Sequence, residues 1–131
     1  AQDLVTIAFN SINYVRPSDV SSVFARVRRG LNLGGILYFD AITSESAAEM
    51  LHGESSIEKR SVRAGLSVAH RLTPSQLVHH FTTESGETED HVQYLVSHND
   101  YVTQLSKAGF EVVNVWKSPN TMRTEYTCRS I

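Results

Sequence analysis

The stretch "LNLGGILYFDAI", from Leu31 to Ile42, decides the fold. Two glycines come directly before an apolar run, and the run ends in an aspartate, Asp40. Glycine destabilises the interior of helices and strands, and carboxylates avoid protein cores, so this order of residues needs a physical reason. It predicts an elbow at Gly34 and Gly35, then a buried strand, and then a charge at the far end of that strand.

The residues before this stretch predict a strand and a helix. "LVTIAF", from Leu4 to Phe9, is apolar on both faces, which is typical of a parallel strand covered on two sides. From Ser18 to Leu31 the apolar residues repeat with helical spacing, and Pro17 supplies a start signal. Strand, helix and strand in this order predict a right-handed βαβ unit with two parallel strands. Because the glycines precede their strand, whereas a nucleotide-binding loop follows one, they do not indicate a phosphate loop.

The pattern changes on the C-terminal side. Residues 43–51 predict a short helix, and between Ser56 and Val96 turn residues separate segments of strand length, which predicts an antiparallel insertion. A second amphipathic helix begins at Ser97 and ends at Gly109. "FEVVNVW" and "RTEYTCRSI" then predict an antiparallel hairpin. The expected fold class is α/β, with one domain over residues 1–131.

Composition excludes several classes of function. The formal net charge is -2 with both signs interspersed, so nucleic acid and anionic membranes are not expected partners. No apolar run approaches the length of a bilayer span. The single cysteine, Cys128, excludes an internal disulfide framework and indicates a reducing compartment, so we expect a cytoplasmic protein.

Metal and hydrolase chemistry are also disfavoured. The six histidines lack tight ligand spacing, and the adjacent His79 and His80 would point to opposite faces of a strand, so no metal site is predicted. The sequence has no G-x-S-x-G elbow, and Cys128 has no basic partner nearby in sequence.

The order of elements resembles the C-terminal half of a class I S-adenosylmethionine-dependent methyltransferase. The resemblance rests on "DLVTIAFNSINYV", "LNLGGILYFD" and "LSKAGFEVVNVW" in this order, and it covers Asp3 to Cys128. It implies a partial Rossmann-like sheet in which "LVTIAF" is the fourth strand, "ILYF" is the fifth, and an antiparallel hairpin ends the sheet. The insertion over residues 56–96 takes the place of the antiparallel β lid of small-molecule methyltransferases.

The departure from the family concerns the cofactor S-adenosylmethionine. The glycine-rich turn after the family's first strand and the acidic residue after its second are absent, because the resemblance begins at the fourth strand. This chain alone is therefore expected to bind the cofactor poorly, to be inactive, and to leave an open apolar edge on its first strand. The implied partners are a small-molecule methyl acceptor and either the missing N-terminal half or a second copy of the chain.

Three interpretations of the chain stay open: a fragment of a longer protein, one half of a split enzyme, or a natural short protein that pairs with itself. The alternative function is a methyltransferase-like module that has no catalysis and serves in dimerisation or binding. A nucleotide-binding α/β protein of another kind is a third and weaker hypothesis.

The resemblance places the reaction beyond the carboxyl ends of the parallel strands. It implies that Phe9, Asn10 and Ser11 face the methionine end of the cofactor. It also implies that Asn13 and Tyr14 border the acceptor, with Tyr14 as a candidate catalytic residue. Ordinary loop chemistry, in which Asn and Ser form turns and Tyr14 packs on the next helix, is the alternative.

Asp40 is the second candidate catalytic residue. A carboxylate at the end of a strand could orient an amine or hydroxyl acceptor, or act as a base. In the alternative interpretation, Asp40 only caps the following helix together with Thr43 or Ser44.

The predicted lid carries three candidate substrate-binding residues. Arg60 or Arg63, on the first strand of the lid, could hold an acidic substrate, and His91 and Gln93 share a strand face that could line the lid. A solvated strand face is the alternative for these residues.

Overall fold

The computed structural model describes residues 1–51, 65–119 and 121–131, and the backbone alone of residues 56–60. The elements are β1 (Gln2–Ile7), a 3-10 helix (Ser11–Tyr14), α1 (Pro17–Gly30), β2 (Leu31–Ile42), α2 (Ser44–Met50), β3 (Ser56–Arg60), β4 (Ser67–Leu72), β5 (Gln76–Thr82), β6 (Thr88–Tyr94), α3 (His98–Ala108), β7 (Phe110–Lys117) and β8 (Arg123–Ser130). The predicted α/β class is confirmed.

The main sheet has the strand order β1-β2-β8-β7. β1 and β2 are parallel, and β8 is antiparallel to both of its neighbours, which confirms the βαβ unit and the terminal hairpin. α1 and α3 pack on one face of this sheet through an aromatic core that includes Phe24, Phe39, Tyr101 and Tyr126. The rings of Phe39 and Tyr126 stack with their centroids 4.7 Å apart. This core fixes the strands whose ends carry the candidate site.

The second sheet contains β3 to β6 in sequence order, and all its strand pairs are antiparallel. The predicted antiparallel insertion is therefore present, and its role as a lid stays a prediction. It is attached to the rest of the chain by Leu77 and Leu95, which are buried with Ile42, Ala47 and Leu51. This second core lies where β2 ends and α2 begins, so the second sheet is anchored near the carboxyl ends of the parallel strands.

The two glycines of the deciding stretch lie inside β2, and the expected elbow before the strand is corrected to a bulge within it. The register between β1 and β2 shifts across this part of the strand. Gly34 has a φ of +80°, which favours glycine, and a Cβ at Gly35 would lie 2.9 Å from the Asn32 carbonyl oxygen. The chain thus turns out of α1 directly into the strand, and the bulge then realigns it with β1.

β1 is not covered on two faces, contrary to the expectation from its apolar sequence. Every residue of β1 is exposed or partly exposed. The physical reason is that β1 is an edge strand and that α1 and α3 lie on one face of the sheet only. The described residues therefore supply β1 with one neighbouring strand and one covering layer.

The bulge predicts opposite effects for two glycine substitutions. Gly35→Ala should destabilise the chain by about 1–3 kcal/mol, because the new methyl group meets backbone atoms that cannot move aside. Gly30→Ala is the matched control, since a Cβ at Gly30 has nothing within 4 Å. It should be neutral or stabilise α1 by up to about 1 kcal/mol. Urea unfolding measures both, and equal effects would contradict the proposed packing at Gly35.

Candidate functional site

A strained turn follows β1 at its carboxyl end. Phe9 and Asn10 have φ values of 57° and 58°, both in the left-handed region. This conformation costs an L-residue about 1–2 kcal/mol, and it is unusual for a bulky side chain. The ring of Phe9 is 80% exposed, so packing of the ring does not hold the turn. Another interaction must offset the strain.

The carboxylate of Asp40 holds this turn. The backbone N–H of Asn10 donates to Oδ1 of Asp40 at 2.6 Å, and the backbone N–H of Phe9 donates to Oδ2 at 3.3 Å. Nη1 of Arg123 lies 3.5 Å from the same Oδ2, so the buried carboxylate is also paired with a cation. Hydrogen bonds to an ionised acceptor are roughly twice as strong as neutral ones, which suits them to holding a strained backbone.

The helix-capping alternative for Asp40 is wrong. Thr43 caps α2, because its side-chain oxygen accepts from the backbone N–H of Ser46 at 3.1 Å. The Asp40 carboxylate instead reaches across to the turn after β1. In this structure Asp40 is a positioning residue, and its direct action on an acceptor stays a prediction.

Asn13 joins three segments of the chain. Its Nδ2 donates to the carbonyl oxygens of Ile42 at 2.7 Å and Tyr94 at 3.1 Å, and its Oδ1 accepts from the backbone N–H of Ile42 at 2.9 Å. The side chain is fully buried, so in this conformation it presents no surface to an acceptor. Its bonds tie the 3-10 helix to the end of β2 and to the last strand of the second sheet.

The remaining residues of the turn differ in what they offer. Oγ of Ser11 donates to the carbonyl oxygen of Ala8 at 2.6 Å and so closes the turn. Oδ1 of Asn10 is buried and has no hydrogen-bond partner among the described residues. Tyr14 is 53% exposed beside them. An unpaired buried acceptor costs about 1–3 kcal/mol, so Asn10 marks a place where a ligand donor would be favourable.

A row of polar side chains runs across one face of the second sheet. Nε2 of His79 lies 2.6 Å from Oε1 of Gln93, and its Nδ1 lies 2.8 Å from Nδ1 of His70. Because Gln93 Oε1 only accepts, His79 donates from Nε2, and a neutral His79 then accepts from His70 at Nδ1. Gln93 is buried and its oxygen is committed to this row.

The surroundings of His91 differ from those of Gln93. His91 shares its strand face but is exposed, and its Nε2 pairs with Glu89 Oε1 at 3.0 Å. The backbone of Arg60 pairs with Ser67 in the second sheet. The side chain of Arg60 and the whole of Arg63 lie outside the described residues. The joint role of Arg60, His91 and Gln93 in binding a substrate stays a prediction.

Metal and thiol chemistry find no support in the described part of the chain. No group of three or more His, Cys, Asp or Glu residues there could hold a metal ion. His80 points away from His79 and pairs with Asp90 at 2.5 Å. Cys128 is buried in β8, and burial raises the pKa of its thiol to about 12, so the thiolate nucleophile is scarce at neutral pH.

No described helix is both long enough and apolar enough to cross a bilayer.

Arg123 is the functional candidate that the sequence analysis missed. It lies 83 residues after Asp40, so sequence spacing gives no sign that the two side chains meet. The antiparallel pairing of β8 with β2 sets Asp40 opposite Glu125 and brings Arg123 close to Asp40. Only knowledge of the strand order could have found this ion pair.

Comparison with known proteins identifies the fold. No protein-family model matches the sequence, and no match is found among curated proteins. An S-adenosylmethionine-dependent methyltransferase from Clostridium acetobutylicum matches with a TM-score of 0.73 at 18% identity, covering 98% of this chain and 58% of that chain. The fold is that of S-adenosylmethionine-dependent methyltransferases.

Two further methyltransferases of known structure share this fold over nearly the whole chain. The CcbJ methyltransferase from Streptomyces caelestis has a TM-score of 0.75 at 13% identity, over 98% of this chain and 61% of that one. CalS10 from Micromonospora echinaspora is an amino pentose methyltransferase solved with S-adenosylmethionine bound. It has a TM-score of 0.68 at 14% identity, and the match covers 98% of this chain and 58% of CalS10. This chain thus spans less than two thirds of each methyltransferase, as expected for a C-terminal half.

The turn gives a direct prediction for Asp40→Asn. One oxygen of the new amide can still accept, but its NH₂ group then faces a backbone N–H and Arg123, which are donors. The chain should lose about 1.5–3 kcal/mol of stability, and the amide protons of Phe9 and Asn10 should exchange at least about tenfold faster. Asp90→Asn, which weakens only the solvent-exposed ion pair with His80, is the control and should cost about 1 kcal/mol or less. Unchanged exchange at both amides would contradict the role of Asp40.

Burial of Cys128 predicts both its reactivity and a pH dependence. The native thiol should not react with a thiol reagent at pH 8 until urea unfolds the chain. Burial raises the pKa of the thiol from 9.0 in the unfolded chain to about 12 in the fold, so the fold favours the neutral thiol. Its contribution to the free energy of unfolding is therefore complete below pH 9 and is lost between pH 9 and 12. Urea unfolding of the chain and of Cys128→Ala across this range measures the difference. Prompt labelling of the native protein would contradict the buried position.

Proposed function

We propose that this chain forms the C-terminal half of an enzyme that transfers a methyl group from S-adenosylmethionine to a small-molecule acceptor. The observation that carries the proposal is the left-handed Phe9–Asn10 turn, which Asp40 holds at the carboxyl end of a parallel strand. Open α/β sheets bind their ligands beyond that end. Backbone strain that is held by a buried charge is typical of functional sites. The methyltransferase fold and the bound cofactor of CalS10 support the same assignment.

The residues of the turn fit the methionine end of the cofactor. Oδ1 of Asn10 is a buried acceptor that receives no hydrogen bond from the described residues, and the cofactor's α-ammonium group is a strong donor. Phe9, Asn10 and Ser11 would hold that end of the cofactor. When bound, S-adenosylmethionine supplies an electrophilic methyl group on its sulfonium. The contribution of this chain is then to fix the direction from which an acceptor approaches.

Tyr14 and the second sheet are assigned to the acceptor. Tyr14 is half-exposed next to the turn, so its hydroxyl group can orient an acceptor or take part in removal of the acceptor's proton. Asp40 contributes by positioning the turn. Asn13 couples the turn to the second sheet, so that this sheet, with Arg60, His91 and Gln93, excludes water and selects the acceptor.

In the proposed enzyme, an N-terminal half would complete the sheet at β1. β1 has one neighbouring strand among the described residues, and its other edge presents unpaired backbone groups beside the exposed side chain of Leu4. We assign to this edge a strand from the N-terminal half, which would also bring the glycine-rich turn for the cofactor. The same edge supports the alternative function, a non-catalytic module that associates through β1 with a second copy.

Calorimetry separates the two functions. The chain alone should bind S-adenosylmethionine weakly or not at all, and the chain joined to its upstream coding sequence should bind it with one saturable site. A folded extended protein that shows no binding would refute the enzyme hypothesis. Concentration-dependent dimerisation of that protein, again without binding, would favour the alternative module.

Asn10→Gly tests the cofactor contact in the extended protein. Glycine keeps the left-handed backbone without strain and removes only the amide group, so the turn should persist. Loss of a hydrogen bond to a charged group should weaken S-adenosylmethionine binding by about tenfold to a hundredfold. Asn99→Ala, on the exposed start of α3, is the control and should bind normally. Equal affinity of the two variants would remove Asn10 from the cofactor site.

A further inference from the structure

A cavity of about 460 Å³ opens between α2 and the loop that joins β7 to β8. It lies at the same end of the main sheet as the Phe9–Asn10 turn, because β7 ends and β8 begins where the parallel strands end. The strand order β1-β2-β8-β7 places the turn at one edge of the sheet and the cavity towards the other. Ligand cavities in proteins measure about 300–1,000 Å³, so this one has the size of a small-molecule site. The proposed methyl transfer uses none of its residues.

Part of the cavity wall is apolar and is anchored in the second core. Met50 and Met122 line the cavity and also pack against that core, which includes Leu51 and Leu77. Pro119 adds a further apolar group to the lining. Thioether sulfur makes favourable contacts with aromatic rings, and the flexible methionine side chain adapts to the ring that it meets. The apolar wall therefore favours an aromatic group.

Hydrogen bonds hold the two sides of the cavity in place. In the loop, the backbone N–H of Ser118 donates to the carbonyl oxygen of Arg123 at 3.1 Å, and the backbone N–H of Arg123 donates to Oγ1 of Thr121 at 3.3 Å. On the α2 side, Oγ of the buried Ser46 accepts from Oγ1 of Thr43 at 3.0 Å. A cavity whose walls are already fixed binds a small molecule with less loss of conformational entropy.

An ion pair between α2 and β7 supplies both signs of charge to the cavity. Nζ of Lys117 pairs with Oε2 of Glu49, and both residues belong to the lining. Their side chains are 51% and 66% exposed, so the pair contributes little to the stability of the fold and opens at little cost. A ligand that carries an anionic and a cationic group would replace this one contact by two, its anion on Lys117 and its cation on Glu49.

We propose that this cavity binds an aromatic α-amino acid in its zwitterionic form. The ring lies against the thioethers of Met50 and Met122, the α-carboxylate pairs with Lys117, and the α-ammonium group pairs with Glu49. An amino acid without an aromatic ring would leave the apolar wall unused, and an uncharged ring would leave the ion pair closed. The proposal goes beyond the proposed function and does not require methyl transfer.

The methyl groups of the methionines report directly on this cavity. The chain has two methionines, Met50 and Met122, and both line it. Carbon-13 labelling of the methionine methyl groups should therefore give two signals, and Met50→Leu assigns them. Addition of L-phenylalanine to the chain should move both signals saturably, with half-saturation in the millimolar range expected for a ligand of this size. L-Alanine, a zwitterion without a ring, is the matched control and should leave both signals in place.

Two probes with a single charge and two variants test the role of the ion pair. Because 3-phenylpropionate lacks the ammonium group and phenethylamine lacks the carboxylate, each should bind about fivefold more weakly than L-phenylalanine. Lys117→Gln should weaken the binding of 3-phenylpropionate and spare phenethylamine, and Glu49→Gln should do the reverse. Lys107→Gln, at an exposed position on α3, is the control and should bind all three ligands like the unaltered chain.

Each outcome decides the proposal separately from the enzyme hypothesis, because these titrations use the chain alone. Saturable shifts with the expected ranking of ligands support it. Methyl signals that stay in place up to the solubility limit of L-phenylalanine overturn it. Equal affinity for L-phenylalanine and phenethylamine, or a folded variant that weakens both single-charge probes alike, also overturns it. If a variant fails to fold, the ranking of the ligands on the unaltered chain decides.

Discussion

Two backbone hydrogen bonds to one buried carboxylate set the geometry of this molecule's candidate site. Asp40 accepts from the N–H groups of Phe9 and Asn10, and so holds two consecutive non-glycine residues in the left-handed region. Without that anion the turn would cost several kcal/mol and relax. The parallel pairing of β1 with β2 makes the contact possible, because it brings the carboxyl ends of the two strands together. The glycine bulge within β2 in turn permits that pairing.

The turn is coupled to the second sheet through Asn13. The three hydrogen bonds of its amide connect the 3-10 helix with the ends of β2 and β6, so the sheet that would cover an acceptor is fixed to the same point as the strained turn. Such coupling suits a methyl-transfer site, where the donor and acceptor must meet in line and away from water. It also explains why Asn13, which the family resemblance placed beside the acceptor, is buried.

The sequence predicted the order of elements well and the contacts between them poorly. Helical periodicity located α1, cap residues located the short α2, and turn residues located the antiparallel segments, because each of these patterns reports on neighbouring residues. The resemblance to methyltransferases agreed with the fold found by structural comparison. Arg123 beside Asp40, and the row from His70 to Gln93, join residues of different strands, and their proximity depends on strand order and register. The exposure of β1 was missed for a further reason: its apolar sequence predicts cover that these residues do not provide.

In the proposed enzyme, the Phe9–Asn10 turn is the part of this chain that meets the cofactor. Amide chemical shifts of the extended protein, recorded while S-adenosylhomocysteine is added, test this most directly. We expect saturable shifts that are largest at Phe9, Asn10 and Ser11, with smaller ones at Tyr14. Saturable binding that leaves these amides unchanged, and shifts others far from the end of β1, would contradict it.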